Sequence, residues 1–308
     1  MDVNAFRRCA PLLATLLFSY APASAQQQGP APQAEDEAIV VTGRAEEEAR
    51  LKEQARAFVR GVEAAPVDGQ VGRWNSPICP TIRGVNAQIG AIVATRIRAV
   101  ARSVGAPVAT GKCKTNILVS FTGDAKALVD AMRARRGGLL ADVPAPEREV
   151  LRSAEAPVRW WYTTLTDEAD GGSIGSEHPA LALQGMDVST AGRDRTVSRY
   201  TSSLIKSSVK VNINTAVILV DVNKAEGHKL DSVADYVAFV ALSRIRVGMA
   251  PPDAPSILGM FRDGPGGSPT LSRWDSAYLE ALYETQADRA ASVQRRNIAG
   301  RMARKVIE

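Results

Sequence analysis

The 308-residue chain carries the patterning of an α/β (α+β) protein, a mixed sheet packed against helices. Three observations predict it. Val209, Val211 and Ile213 alternate with Lys210, Asn212 and Asn214, the period-2 signature of a strand with one face half in water. Ala216–Val222 (AVILVDV) is apolar on both faces, as a central strand requires. Ile89, Ile92, Val93, Ile97, Val100 and Val104 fall on one stripe of a helix over Asn86–Val104. The two periods mix along the chain without an internal repeat, which places strands and helices in one core.

The N-terminus reads as a secretory signal. Arg7 and Arg8 precede an apolar run, Cys9–Tyr20, too short to span a bilayer, and Ala23-Ser24-Ala25 supplies the small residues of a cleavage site after Ala25. Residues 26–45 read as a disordered Gln-, Pro- and acid-rich linker that contains an extended Ile39-Val40-Val41-Thr42-Gly43 segment. A single globular domain is expected over 46–308. It opens on a charged helix, about Glu46–Val62, with Leu51, Ala55, Phe58, Val59 and Val62 on one face.

The rest follows in order. Pro77–Ile82 is extended, and after the Asn86–Val104 helix comes a buried strand, Asn116–Phe121. Asp124–Arg136 is an amphipathic helix with Leu128, Val129 and Met132 inward, and Glu147–Ser153 a helical turn. Val158–Leu165 (VRWWYTTL) is a strand by its β-branched and aromatic content, and Arg199–Lys206 is another strand candidate. Asp231–Val247 reads as a helix apolar nearly all round, with Ser232 and Asp235 at capping-box spacing. Leu271–Tyr283 and Ala287–Val306 are the closing helices.

Charge excludes little but narrows the partners. Loss of Asp2, Arg7 and Arg8 with the signal lowers the formal charge from +5 to +4, with acids and bases interleaved, so nothing argues for nucleic acid. Arg295, Arg296, Arg301, Arg304 and Lys305 on the last helix suit its negative end. No later segment has the roughly 20 apolar residues of a membrane span. Cys79 and Cys113 survive cleavage, and an even count in an oxidising compartment predicts a disulfide. With only His178 and His228 in the chain, no metal site and no cofactor are expected.

Three elements in order carry a resemblance: the helix Val233–Leu242, the turn Ser256-Ile257-Leu258, and Leu271–Tyr283 with Asp275 and the pair Leu282-Tyr283. This part of the chain resembles zincin metalloproteases, in which an HExxH helix is followed by a Ser-Ile-Met turn and a helix ending in Leu-Tyr. It is also similar to a group of uncharacterised alphaproteobacterial exported proteins with the same Ala-Asp-Tyr helix. The resemblance implies a zincin-like domain. HExxH works because i and i+4 share a helical face, so two imidazoles grip zinc while the Glu activates water. Laid over this chain, those positions are Tyr236, Val237 and Val240, and Leu258 replaces the turn's methionine. The expectation is a pseudo-enzyme with its site filled by core. A buried helix without zincin ancestry is the alternative.

Ile39–Gly43 resembles the TonB box of outer-membrane receptors, which implies strand donation to a TonB-like periplasmic protein. A plain first strand, or a staple before the next helix, reads the same five letters. Gly171–Gly175 fits G-x-S-x-G and Ser203/Lys206 fits S-x-x-K. The first lacks the flanking strand and helix of a nucleophile elbow, and the second lacks its companion motifs. Two functions are therefore expected to compete. One is a periplasmic or secreted, non-catalytic binding protein. The other is a hydrolase built from loops around Glu177, His178 and Asp187.

Overall fold

The computed structural model describes residues 35–64, 69–135, 140, 143–153, 155–169, 203–249, 251, 254–262 and 270–307. The segment expected to be a signal, residues 171–175, Glu177, His178 and Asp187 lie outside them, as does most of the strand expected at 199–206. Residues 45–308 form one compact unit and residues 1–44 another.

In chain order the elements are α1 (Glu35–Val62), β1 (Pro80–Arg83), α2 (Ala87–Ser103), β2 (Ile117–Thr122), α3 (Ala125–Arg135), α4 (Ala145–Arg152), β3 (Val158–Glu168), β4 (Val209–Asp221), α5 (Leu230–Leu242), a 3₁₀ turn (Ile257–Gly259), α6 (Arg273–Glu284) and α7 (Ala291–Ile307). The strands make one mixed sheet ordered β1-β2-β4-β3. β1, β2 and β4 are parallel, with Val119 opposite Ile218, and β3 runs antiparallel to β4, with Trp161 opposite Val217. The mixed α/β character predicted from the periods is therefore the observed one. Residues 215–221 of β4 are all buried, which requires cover on both sheet faces there.

Local chemistry explains the joints. Asn86 Oδ1 accepts the Ile89 N–H at 2.9 Å and starts α2, while Asp221 at the end of β4 accepts the Ala125 N–H at 3.2 Å and starts α3. Gly84, at φ +79°, has no room for a side chain, since a Cβ would lie 1.9 Å from the Phe121 carbonyl oxygen. Arg159 is fully buried, with no carboxylate in an ion pair with it among the described residues. Its guanidinium instead donates to the carbonyls of Leu151, Ser153 and Ala156 at 2.6–3.0 Å, closing the end of α4.

Some expectations change. The helix expected over Asp231–Val247 ends at Leu242, where Ser243 turns to extended backbone. Residues 35–45 are not linker, and Ile39–Gly43 is not extended: both lie in α1, which begins at Glu35 rather than Glu46. The Glu-, Ala- and Arg-rich run from Arg44 onward forms helix readily. Propagation adds a hydrogen bond per residue, so the four β-branched residues Ile39–Thr42 join at a cost of only a few tenths of a kcal/mol each. The two strands expected at 208–214 and 216–222 are one continuous strand of 13 residues, opposite a bulge at Thr163/Thr164 of β3.

Cys79 and Cys113 are joined, tying the start of β1 to the loop that precedes β2 across a sequence separation of 34. Replacing both by serine should lower the unfolding free energy by about 3–4 kcal/mol, the loop-closure entropy returned to the unfolded chain. Paired urea titrations of parent and variant check this.

Candidate functional site

α5 carries Tyr236, Val237 and Val240. Every residue from Ser232 to Leu242 is buried, so valine, phenylalanine and tyrosine are held helical by packing rather than by propensity. Val237 and Val240 are fully buried. The Tyr236 ring meets Trp160 edge-on at 6.0 Å and Phe261 edge-on at 5.1 Å, and Phe261 in turn meets His228 at 4.9 Å. Burial lifts the Tyr236 phenol well above the usual tyrosine range, so it stays neutral. Position i therefore offers an un-ionised phenol, and positions i+1 and i+4 offer hydrocarbon.

The Ser256-Ile257-Leu258 turn packs against α5 and is bolted to the start of α6 by one carboxylate. Asp275, fully buried, accepts Ser256 Oγ–H at 2.6 Å, Ile257 N–H at 2.8 Å and Ser272 N–H at 2.9 Å. Ser272 Oγ accepts the Asp275 N–H at 3.0 Å, completing a capping box, and donates to the Pro255 carbonyl at 2.7 Å. Burial pushes the Asp275 carboxyl upward, and the hydrogen bonds from Ser256, Ile257 and Ser272 oppose it. The fold thus unites α5, the turn and the head of α6, the three elements of the resemblance.

The capping box expected at Ser232 and Asp235 is absent. Lys229 occupies the N-cap position with no side-chain bond. Asp235, on the buried side of α5, pairs instead with Arg96 of α2 and accepts the Leu271 N–H at 3.1 Å. One carboxylate so ties α5 to α2 and to the segment entering α6.

The other end of α5 holds donors that no local signal announces. Tyr162 OH donates to the Val240 carbonyl at 2.6 Å, Trp74 Nε1 to Ala241 at 2.8 Å and Tyr283 OH to Leu242 at 2.7 Å. Ser243 Oγ donates to Phe239 at 2.8 Å. A buried helix end must satisfy its last carbonyls, and here aromatic side chains do it in place of a glycine cap.

Among the described residues no three His, Cys, Asp or Glu side chains gather as a metal-binding group. Cys79–Cys113 belongs to the β1 end of the sheet, and Ile39–Gly43 to α1. No helix of the described residues is long and apolar enough to cross a membrane. Compared with known proteins, the chain matches no family model, no curated protein and no solved structure.

Proposed function

We propose that this is an exported, non-catalytic protein, a degenerate zincin-like domain that acts by binding an envelope or extracellular partner. One observation carries the reading: the helix face where a zincin displays two imidazoles and a carboxylate here carries Tyr236, Val237 and Val240, packed into the core. Neither an isopropyl group nor a neutral phenol takes up the work of a zinc ligand or of a base at neutral pH. The Asp275 bond network on the turn supports the same reading, because it preserves the scaffold around a position whose chemistry has gone. Export is supported by the disulfide, a bond that persists in oxidising compartments. Contact with a TonB-like periplasmic protein through residues 39–43 enters this proposal only with unwinding of the first turns of α1, because strand addition needs extended backbone.

The experiment is elemental analysis of the purified chain, with peptidase assays in the presence and absence of chelator. The expected result is substoichiometric zinc and no chelator-sensitive turnover. One zinc per chain, lost on His178→Ala, would overturn the proposal and favour the hydrolase.

A further inference from the structure

Where α6 ends and α7 begins, an open cavity of about 480 Å³ is lined by Ile205, Val293, Gln286, Asn297 and Arg289 among others. Its walls are fixed. Ser207 N–H donates to the Asp288 carbonyl at 2.7 Å and Ala290 N–H to the Ile205 carbonyl at 2.9 Å, clamping residues 205–207 beside 288–290. Gln70 Nε2 donates to the Arg289 carbonyl at 2.7 Å, and Gln294 Nε2 to the Ala287 carbonyl at 2.9 Å.

Charge within the cavity is unevenly used. Arg301 pairs with Glu284 at 3.1 Å. Arg289 is partly buried, and its guanidinium has no hydrogen-bonding or ionic partner among the described residues. The cavity therefore holds one positive charge in excess and one unused planar fork of donors, the geometry that matches a carboxylate. Beside it, Ile205 is 58% and Leu204 89% exposed, an apolar ledge with Val293 on the cavity wall. Gln286 and Asn297 carry amides that both donate and accept, as a peptide backbone requires.

We propose that this cavity captures the free C-terminal carboxylate of a partner polypeptide, with its last apolar side chain against Ile205 and Val293. The volume is that of a small-ligand site, and carboxylate capture is an established mode of peptide recognition. A lipid acid would need a long apolar sleeve, whereas these walls carry polar groups suited to amides. The inference rests on the binding reading above and names the chemistry of the partner.

The test is fluorescence anisotropy on the full chain. The probes are labelled hexapeptide pools ending in Val, Leu, Ile or Phe, once with a free carboxylate and once amidated, with octanoate as competitor. The expected result is saturable binding of the acid pool. Amidation and Arg289→Gln should each weaken it about tenfold or more, the worth of a hydrogen bond to a charged group, with Arg289→Lys between. Octanoate should not displace the peptides. Circular dichroism should show all variants folded, since the Arg289 side chain has no bonding partner among the described residues. Absence of saturable binding up to millimolar peptide, equal affinity for acid and amide, undiminished affinity in Arg289→Gln, or displacement by octanoate would overturn it. Such a failure in a zinc-free chain removes this inference alone, whereas stoichiometric zinc removes the binding reading beneath it.

Discussion

Val240→Asp should leave the protein unfolded. Val240 is completely buried in the middle of the core, and its neighbours on α5 are equally enclosed, so an aspartate there finds neither water nor a cation. An uncompensated buried charge costs about 4 kcal/mol or more, against a total stability of roughly 5–15 kcal/mol for a domain. Val240→Ala, which removes only methyl groups, should cost about 2 kcal/mol and leave a cooperative transition. Far-UV circular dichroism against urea separates the two. A cooperatively folded Val240→Asp variant would mean that this face of α5 is open to solvent, and the filled-site reading would fall with it.

Asp275→Ala should be nearly as damaging. It strands three donors at once, Ser256 Oγ–H, Ile257 N–H and Ser272 N–H, and dissolves the capping box of α6. The loss should be about 3 kcal/mol or more, seen as a lower urea midpoint. Asp275→Asn keeps the shape and adds a pH signature. Burial raises the folded-state pKa of Asp275, so the folded protein binds its proton more readily than the unfolded chain. Its contribution to stability is then fully present below the unfolded pKa and is lost as pH rises through the folded one. Wild type should therefore gain stability relative to Asp275→Asn as pH falls from neutrality toward the ordinary carboxylate range. A difference independent of pH would show that burial does not dominate at Asp275.

What the letters reveal here is what lies close along the chain. The stripe of α2, the aromatic strand β3 and the mostly apolar α5 follow from local period and composition, and the disulfide from an even cysteine count. Distant pairing is what stays hidden. S-x-x-D spacing occurs at Ser232 and at Ser272, yet only the second makes a box, because the Asp235 carboxylate is taken by Arg96, 139 positions away. Arg295, apparently a cation for the end of α7, instead grips the buried Glu63 with both arms at 2.7 and 3.0 Å across 232 residues. Nothing near Trp74, Tyr162 or Tyr283 in the sequence marks them as donors to the end of α5. Their partners are carbonyls, which every residue carries, so composition cannot single them out. The helical state of Ile39–Gly43 was obscured for the opposite reason, since β-branched letters spoke for a strand while their helix-forming neighbours decided the outcome.

The aromatic donors at the end of α5 also limit how the molecule can respond to a partner. They arise from positions 74, 162 and 283, so the helix is moored from three separate stretches of chain. Sliding it by one turn would break all three moorings together and leave buried carbonyls bare. α5 thus serves as a fixed post, and any adjustment that accompanies docking must be made at the periphery, in segments that this post does not hold.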